Sequence, residues 1–233
     1  MHQLATQPIL ITGATSGIGL ALALHLKKLG YIPIASGRNE EKLLDLKVKH
    51  GLSTTYLDVG NTESFKEKLL EIENTHGPLG GLINNAGIWL EGDFIDYTYE
   101  QIETVININM MGTIALTHAV LPGMVKRGQG SIINVVSTGG LYCRKQISVY
   151  AASKWAIRGF TGCLTAEYAP RGVRVMGFYP GKVDSELYAN AGIERDLEIA
   201  MSSEQAAGLI EMMLRDQSIV WSDLVTRSIN DYV

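Results

Sequence analysis

The feature that most restricts what this chain can fold into is its opening. A short β-branched run, Ile9–Ile11, passes without a spacer into Thr12-Gly13-Ala14-Thr15-Ser16-Gly17-Ile18-Gly19, and a helical pattern follows at once. Glycines in such a turn admit positive φ and close backbone approach. The helix they introduce presents unpaired N–H groups and the positive end of its dipole to an anion. The spacing is Gly-x-x-x-Gly-x-Gly rather than G-x-G-x-x-G, so the phosphate-cradling mechanism is matched and the commoner lettering is not. The plainer alternative is three turn glycines in a chain that holds 25.

The rest of the chain repeats the alternation. Nearly continuous apolar runs at Tyr31–Ala35, Thr54–Leu57, Leu82–Ile83, Ser131–Val136 and Arg174–Phe178 predict parallel strands buried on both faces. Amphipathic stretches at Ile18–Leu29, Glu40–Lys49, Thr62–Asn74, Gln101–Val125, Val149–Tyr168 and Ser203–Arg215 predict the intervening helices, the first stopping at Gly30 as a C′ residue. Strand and helix alternating throughout predict an α/β doubly wound parallel sheet with helices on both faces. At 233 residues there is room for one domain, 1–233, and none for a separate substrate domain. One irregular stretch, Gly181 to Ser202, is expected to act as a lid.

Composition excludes several classes. Lys plus Arg is 20 and Asp plus Glu 24, a net charge of −4, so the excess of clustered cations that nucleic acid or an anionic membrane surface requires is missing. Cys143 and Cys163 are too few for a disulfide framework and fit a reducing compartment. Met1 to Pro8 lacks the pattern of a secretory leader, and Thr, His, Gly and Pro interrupt every apolar run before it reaches spanning length. A cytoplasmic protein with no metal site is expected.

Several polar residues fall where strand ends meet the crevice of such a sheet. The second strand ends Ala35-Ser36-Gly37-Arg38-Asn39 with no acid before Arg38. A carboxylate there selects the 2′-hydroxyl of NAD, whereas an arginine fork accepts the 2′-phosphate of NADP, with Ser36 adding a hydroxyl. NADP is therefore favoured over NAD; a solvated Arg38 is the alternative. Tyr150 and Lys154, at i and i+4, stand one helical turn apart. A neighbouring ammonium lowers a phenol from near pH ~10 and makes it a usable acid or base, although a surface pair shares the same spacing. Ser137 follows the fifth strand, and Asn84-Asn85-Ala86-Gly87 the fourth. Asn109 lies inside a helical pattern, where it serves a site, or kinks the helix by bonding its own backbone.

Taken together, Thr12–Gly19, Asp58-Val59, Asn84–Gly87, Asn109, Ser137, Tyr150-x-x-x-Lys154 and Pro180-Gly181 resemble the short-chain dehydrogenase/reductase family, over essentially the whole chain. The resemblance implies a Rossmann-type fold that binds NADP(H) and transfers hydride to or from a small carbonyl or alcohol substrate, with carbonyl reduction expected. It implies that Ser137 orients the substrate oxygen, that Tyr150 passes the proton, that Lys154 lowers the Tyr150 pKa and holds the nicotinamide ribose, and that Asn109 supports a water. Gly13, Thr15, Ser16, Gly17, Ile18 and Gly19 would hold the pyrophosphate. Asp58 and Val59 would meet adenine, Asn85, Ala86 and Gly87 the adenosine ribose, and Pro180, Gly181, Val183 and Ser185 the nicotinamide. Ser185 stands where the family often has Thr. Trp89, Leu141, Tyr142, Cys143 and Tyr188 are expected on the substrate side. The resemblance also implies that the chain, whose last strand is expected at Asp223–Ser228, lacks the tail that in longer relatives helps close the substrate pocket or a neighbouring subunit's pocket. A homodimer or homotetramer is implied through Gln101–Val125 and Val149–Tyr168, where Ala152, Ala156 and Gly159 are small. A catalytically weak NADPH-binding regulator on the same fold is the alternative function.

Overall fold

The computed structural model describes residues 6–229; residues 1–5, the larger part of the stretch read as lacking a leader, lie outside the described residues. In chain order the elements are β1 (Pro8–Ile11), α1 (Gly17–Lys28), β2 (Ile32–Gly37), α2 (Glu40–His50), β3 (Ser53–Tyr56), α3 (Phe65–His76) and β4 (Gly81–Asn84). Then follow α4 (Tyr99–Ile106), α5 (Gly112–Arg127), β5 (Gly130–Val135), α6 (Ser148–Tyr168), β6 (Val173–Pro180), β7 (Val183–Asp184), β8 (Met201–Ser202), α7 (Ser203–Arg215) and β9 (Asp223–Thr226). Seven strands form one parallel sheet in the order β3-β2-β1-β4-β5-β6-β9.

The unbroken apolar runs are explained by two cores, one on each face of the sheet. Successive strand residues point to opposite faces. Ile9 and Ile11 of β1 therefore pack with Leu22 and Leu26 of α1 and Ile210 of α7, while Leu10 between them packs with Phe65 of α3 and Leu116 of α5. In β6 the same division sends Met176 and Phe178 to one side and Val173 and Val175 to the other. Each fully buried Leu or Ile of this kind contributes roughly 1.5–3 kcal/mol.

Two expectations change. The helical segment Tyr99–Arg127 is 29 residues long and apolar enough by composition to cross a membrane, contrary to the reading that every run is interrupted too early. One side of it is core: Leu116 and Met124 are fully buried against the sheet, while Tyr99 and Met111 on other faces are exposed. This segment is also not one regular helix, because a π turn over Asn107–Met111 separates α4 from α5. Second, residues 181–202 are not irregular throughout. β7 and β8 pair in parallel, with Val183 opposite Met201, and Ser202 starts α7 with a capping box to Gln205. The late segment is thereby anchored at both ends.

Candidate functional site

Reversal of strand order about β1 and β4 opens a crevice at their C-terminal edge, where open α/β sheets hold ligands. It contains a cleft of ≈ 610 Å³, within the range of small-molecule sites. One end is made of backbone. Gly13 and Gly17 have φ of +63° and +50°. A Cβ on Gly13 would lie 2.9 Å from the Ala86 Cα, and one on Gly17 2.9 Å from the Ser185 Cβ. Thr15, Ser16 and Ile18 complete this wall. Ser16 is the N-cap of α1 but makes no side-chain cap bond, and the first turn carries no acid. The helix start is thus left electropositive and open to an anion, a fit to a pyrophosphate-bearing cofactor. Gly19 lies behind the cleft: a Cβ there would be 2.5 Å from both Asn85 Nδ2 and the Gly13 carbonyl, so its part is to let the helix approach the loop.

The loop is braced from β4. The Thr12 hydroxyl accepts from the Asn85 and Ala86 N–H groups, both at 3.0 Å, and Asn85 Nδ2 donates to the Thr12 and Gly13 carbonyls at 2.9 and 3.2 Å. Asn85, Ala86 and Gly87 line the cleft as expected, but the Asn85 amide serves the loop. The motif Thr12–Gly19 contains Thr12 but does not by itself reveal this bracing role.

Beside the ends of β2 and β3, Arg38, Asp58 and Val59 line the cleft. One expectation fails here. Ser36 is fully buried and its hydroxyl donates to the Ile11 carbonyl at 2.9 Å, so it does not reach a ligand phosphate. A second cation missed in the sequence, Lys42, joins Arg38 on the cleft wall, one turn into α2, whose N-cap Asn39 accepts from the Lys42 N–H at 2.9 Å. The i, i+4 offset of two cations across a helix start was the available signal. Neither has a carboxylate partner among the described residues.

The other end is made of side chains. Ser137 follows β5 with a φ of +121°, a left-handed value rare for a residue with a Cβ. Its oxygen accepts from the Gly139 N–H at 3.0 Å. Tyr150 and Lys154 on α6 are both buried and both line the cleft. Lys154 Nζ donates to the Val135 carbonyl at 3.1 Å and lies 5.7 Å from the Tyr150 ring centroid. Burial pushes the Lys154 ammonium down to about 8. For Tyr150 burial is also the largest influence and raises its pKa, with the Ser137 hydrogen bond and the Arg144 charge pulling in the other direction. The expectation that Lys154 sets a lowered phenol pKa is therefore reversed: loss of hydration outweighs any neighbouring charge.

Asn109 does not line the cleft. It sits in the π turn, 1% exposed. Its side chain does not bond its own backbone; Oδ1 accepts from the Ile88 N–H at 2.8 Å, and Nδ2 donates to the Ile88 carbonyl at 2.9 Å and to Ser153 Oγ at 3.2 Å. Asn109 thus fixes the chain after β4 against α6, the helix that bears Tyr150 and Lys154.

Pro180, Gly181, Val183 and Ser185 close the cleft from β6 and the late segment. Of the five residues expected on the substrate side, Trp89 and Tyr188 line the cleft. Leu141 packs instead beneath Val136 and Tyr179, while Tyr142 and Cys143 are exposed and off the cleft. The turn after Ser137 packs Gly139 against the Tyr150 ring and then carries Tyr142 and Cys143 out to solvent.

Comparison with known proteins agrees with this architecture. The family model described as short chain dehydrogenase matches residues 7–205. An uncharacterized oxidoreductase of Staphylococcus aureus (strain USA300) is 33% identical over 192 residues, covering 81% of this chain and 83% of the relative. The solved closed form of a serine dehydrogenase complexed with NADP+ superposes with a TM-score of 0.91 at 30% identity, covering 96% of this chain and 95% of that one. A short-chain dehydrogenase from Sphingobium yanoikuyae in complex with NADPH gives 0.83 at 27% identity, covering 94% and 87%. With a Rossmann-like seven-stranded sheet, a glycine-walled cleft at its switch point and a family match over most of its length, the chain is an oxidoreductase that belongs to the short-chain dehydrogenase family.

Proposed function

We propose that this oxidoreductase reduces a carbonyl compound with NADPH, using Tyr150 as proton donor. The observation that carries the reading is the convergence of Ser137, Tyr150 and Lys154 at one end of a cleft whose other end is the glycine loop at the start of α1. When bound, a reduced nicotinamide would supply the hydride. The chain's own part is to bind, orient and protonate. The Tyr150 phenol, whose ordinary pKa is ~10 and which burial raises further, is protonated at neutral pH and has a proton to give to a developing alkoxide. The Ser137 hydroxyl, held beside it, donates to the same oxygen, and Lys154, still charged below about 8, offsets the negative charge that Tyr150 acquires. Asn109 holds these parts together without touching the substrate.

Arg38 and Lys42, cations on the adenosine wall without carboxylate partners among the described residues, support a 2′-phosphate and hence NADP(H) over NAD(H). The NADP+ and NADPH complexes of the two relatives above support it too. The reading extends to a cytoplasmic homodimer or homotetramer. Its support is the pair of free cysteines and the α6 face on which Ala152, Trp155 and Gly159 are exposed together; light scattering in solution tests the assembly.

The decisive experiment follows reduced-nicotinamide absorbance with ketones, aldehydes and quinones, after a thermal-shift comparison of NADPH with NADH. Turnover and a larger shift with NADPH are expected. NADPH binding with no turnover across the panel would replace the enzyme with a cofactor-sensing regulator, and a larger shift with NADH would overturn the Arg38 and Lys42 argument.

A further inference from the structure

We infer that Trp89 sets an upper limit on substrate size, and that Glu91 and Arg195 hold it in place by fastening the late segment over it. The inference rests on the reading of Tyr150 as the group that meets the substrate. Three aromatic rings that are remote in sequence stack here. The Trp89 ring centroid lies 4.3 Å from that of Tyr150, with planes tilted by 50°, and 4.9 Å from that of Tyr188, edge-on at 74°. All three are buried, with Ile147 and Ala151 packed around them.

A single carboxylate oxygen secures this cluster. Glu91 Oε2 accepts from Trp89 Nε1 at 2.8 Å and pairs with Arg195 Nη2. The Arg195 guanidinium carbon lies 5.1 Å from the Tyr188 ring centroid. Trp89, Glu91, Arg195 and Tyr188 therefore form a closed ring of contacts that joins the loop after β4 to the segment between β7 and β8. Both members of the ion pair are largely covered, their side chains 27% and 20% exposed, so solvent screens it less than an open surface pair. The consequence is a bicyclic roof directly over Tyr150. Because the Trp89 and Tyr150 rings are in contact, a substrate reaches the Tyr150 hydroxyl past the edge of the indole: a carbonyl compound with short aliphatic substituents has room there, and one that carries an aryl ring or a long chain requires the indole to leave.

The test measures binding to NADP+-saturated protein by calorimetry, and turnover with NADPH, for short aliphatic and aryl ketones, in the parent and in Trp89→Ala. The parent is expected to prefer the short compounds in both measurements. Trp89→Ala should shift the aryl-to-aliphatic ratio by roughly tenfold or more. In a Trp155→Phe/Trp221→Phe background, where Trp89 is the remaining indole, acrylamide should quench it weakly, and Arg195→Gln or Glu91→Gln should expose it. An unchanged ratio in Trp89→Ala that still binds NADPH overturns the size limit. Unchanged quenching in Arg195→Gln overturns the fastening. Size-selective binding without any turnover would leave the inference standing and remove the reductase reading instead.

Discussion

The two ends of the cleft are built on different principles. The glycine end consists of backbone: positive-φ glycines, N–H groups at the start of α1, and a loop tied to its neighbour by Thr12 and Asn85. The reactive end consists of side chains brought from far apart, with Trp89 from the β4 loop, Tyr150 and Lys154 from α6, and Tyr188 and Arg195 from the late segment. Backbone geometry needs particular residues at fixed spacing, so it leaves a motif. Long-range side-chain packing needs only shape and complementary charge, and leaves none. Spacing therefore specifies the glycine end of the cleft, and shape with charge specifies the other.

Substitutions can sharpen or break this contrast. The largest effect is expected from Tyr150→Phe, which removes a proton donor and keeps the ring packing: turnover should fall by about 10²–10⁴ with NADPH affinity retained, read by steady-state kinetics and a binding titration. Retained turnover would end the assignment. Arg38→Ala should weaken NADPH by roughly 10- to 100-fold and leave NADH nearly unchanged, the loss of a charge-assisted phosphate bond of about 1.5–3 kcal/mol. Equal losses for both cofactors would move Arg38 out of the 2′-phosphate site. Gly13→Ala puts a Cβ at positive φ and 2.9 Å from the Ala86 Cα. About 1–2 kcal/mol of strain is expected, read as a thermal midpoint lower by about 2–4 °C for each kcal/mol, together with weaker cofactor binding.

The pH profile tests the reactive end. Lys154 is pushed down to about 8, so its charge is present below that pH and lost above it. If that charge assists proton donation, kcat/KM for reduction should be flat at neutrality and fall up to tenfold per unit above about 8. A profile flat to pH ~10 would show that the Lys154 charge is not needed. The same shift has a signature in stability. The unfolded chain binds that proton up to its ordinary value while the folded one releases it near 8, so this group makes stability rise with pH between those two values. Smallest of all, Cys143→Ser should change neither turnover nor sensitivity to thiol reagents at the active site, because Cys143 is exposed and off the cleft.

Which parts were legible follows from the same contrast. Parallel strands buried on both faces announce themselves as continuous apolar runs, and a glycine turn between strand and helix has a spacing that can be recognised, so the fold and the glycine wall of the cleft could be read directly. Ser36 misled because a hydroxyl at a strand end looks the same whether it faces a ligand or bonds back to the neighbouring strand, as it does to the Ile11 carbonyl. Leu141, Tyr142 and Cys143 misled because nearness to Ser137 in sequence says nothing about which way the following turn departs. Lys42 was missed because a lysine in the first turn of a helix looks the same in sequence whether it faces a cleft or open solvent. The Tyr150 pKa was misjudged because charge is visible in a sequence and depth of burial is not.

The π turn at Asn107–Met111 has a consequence for how this chain tolerates changes in length. Such a turn holds one residue more than a regular helix accommodates, and each helical residue turns the axis by roughly 100°. A deletion of a single residue here would restore an unbroken α-helical ladder and bring extra backbone hydrogen bonds. It would also swing α4 around relative to α5 and withdraw the Asn109 amide from Ile88 and Ser153. The shorter helix would be the better helix, and the longer one is what the cleft needs.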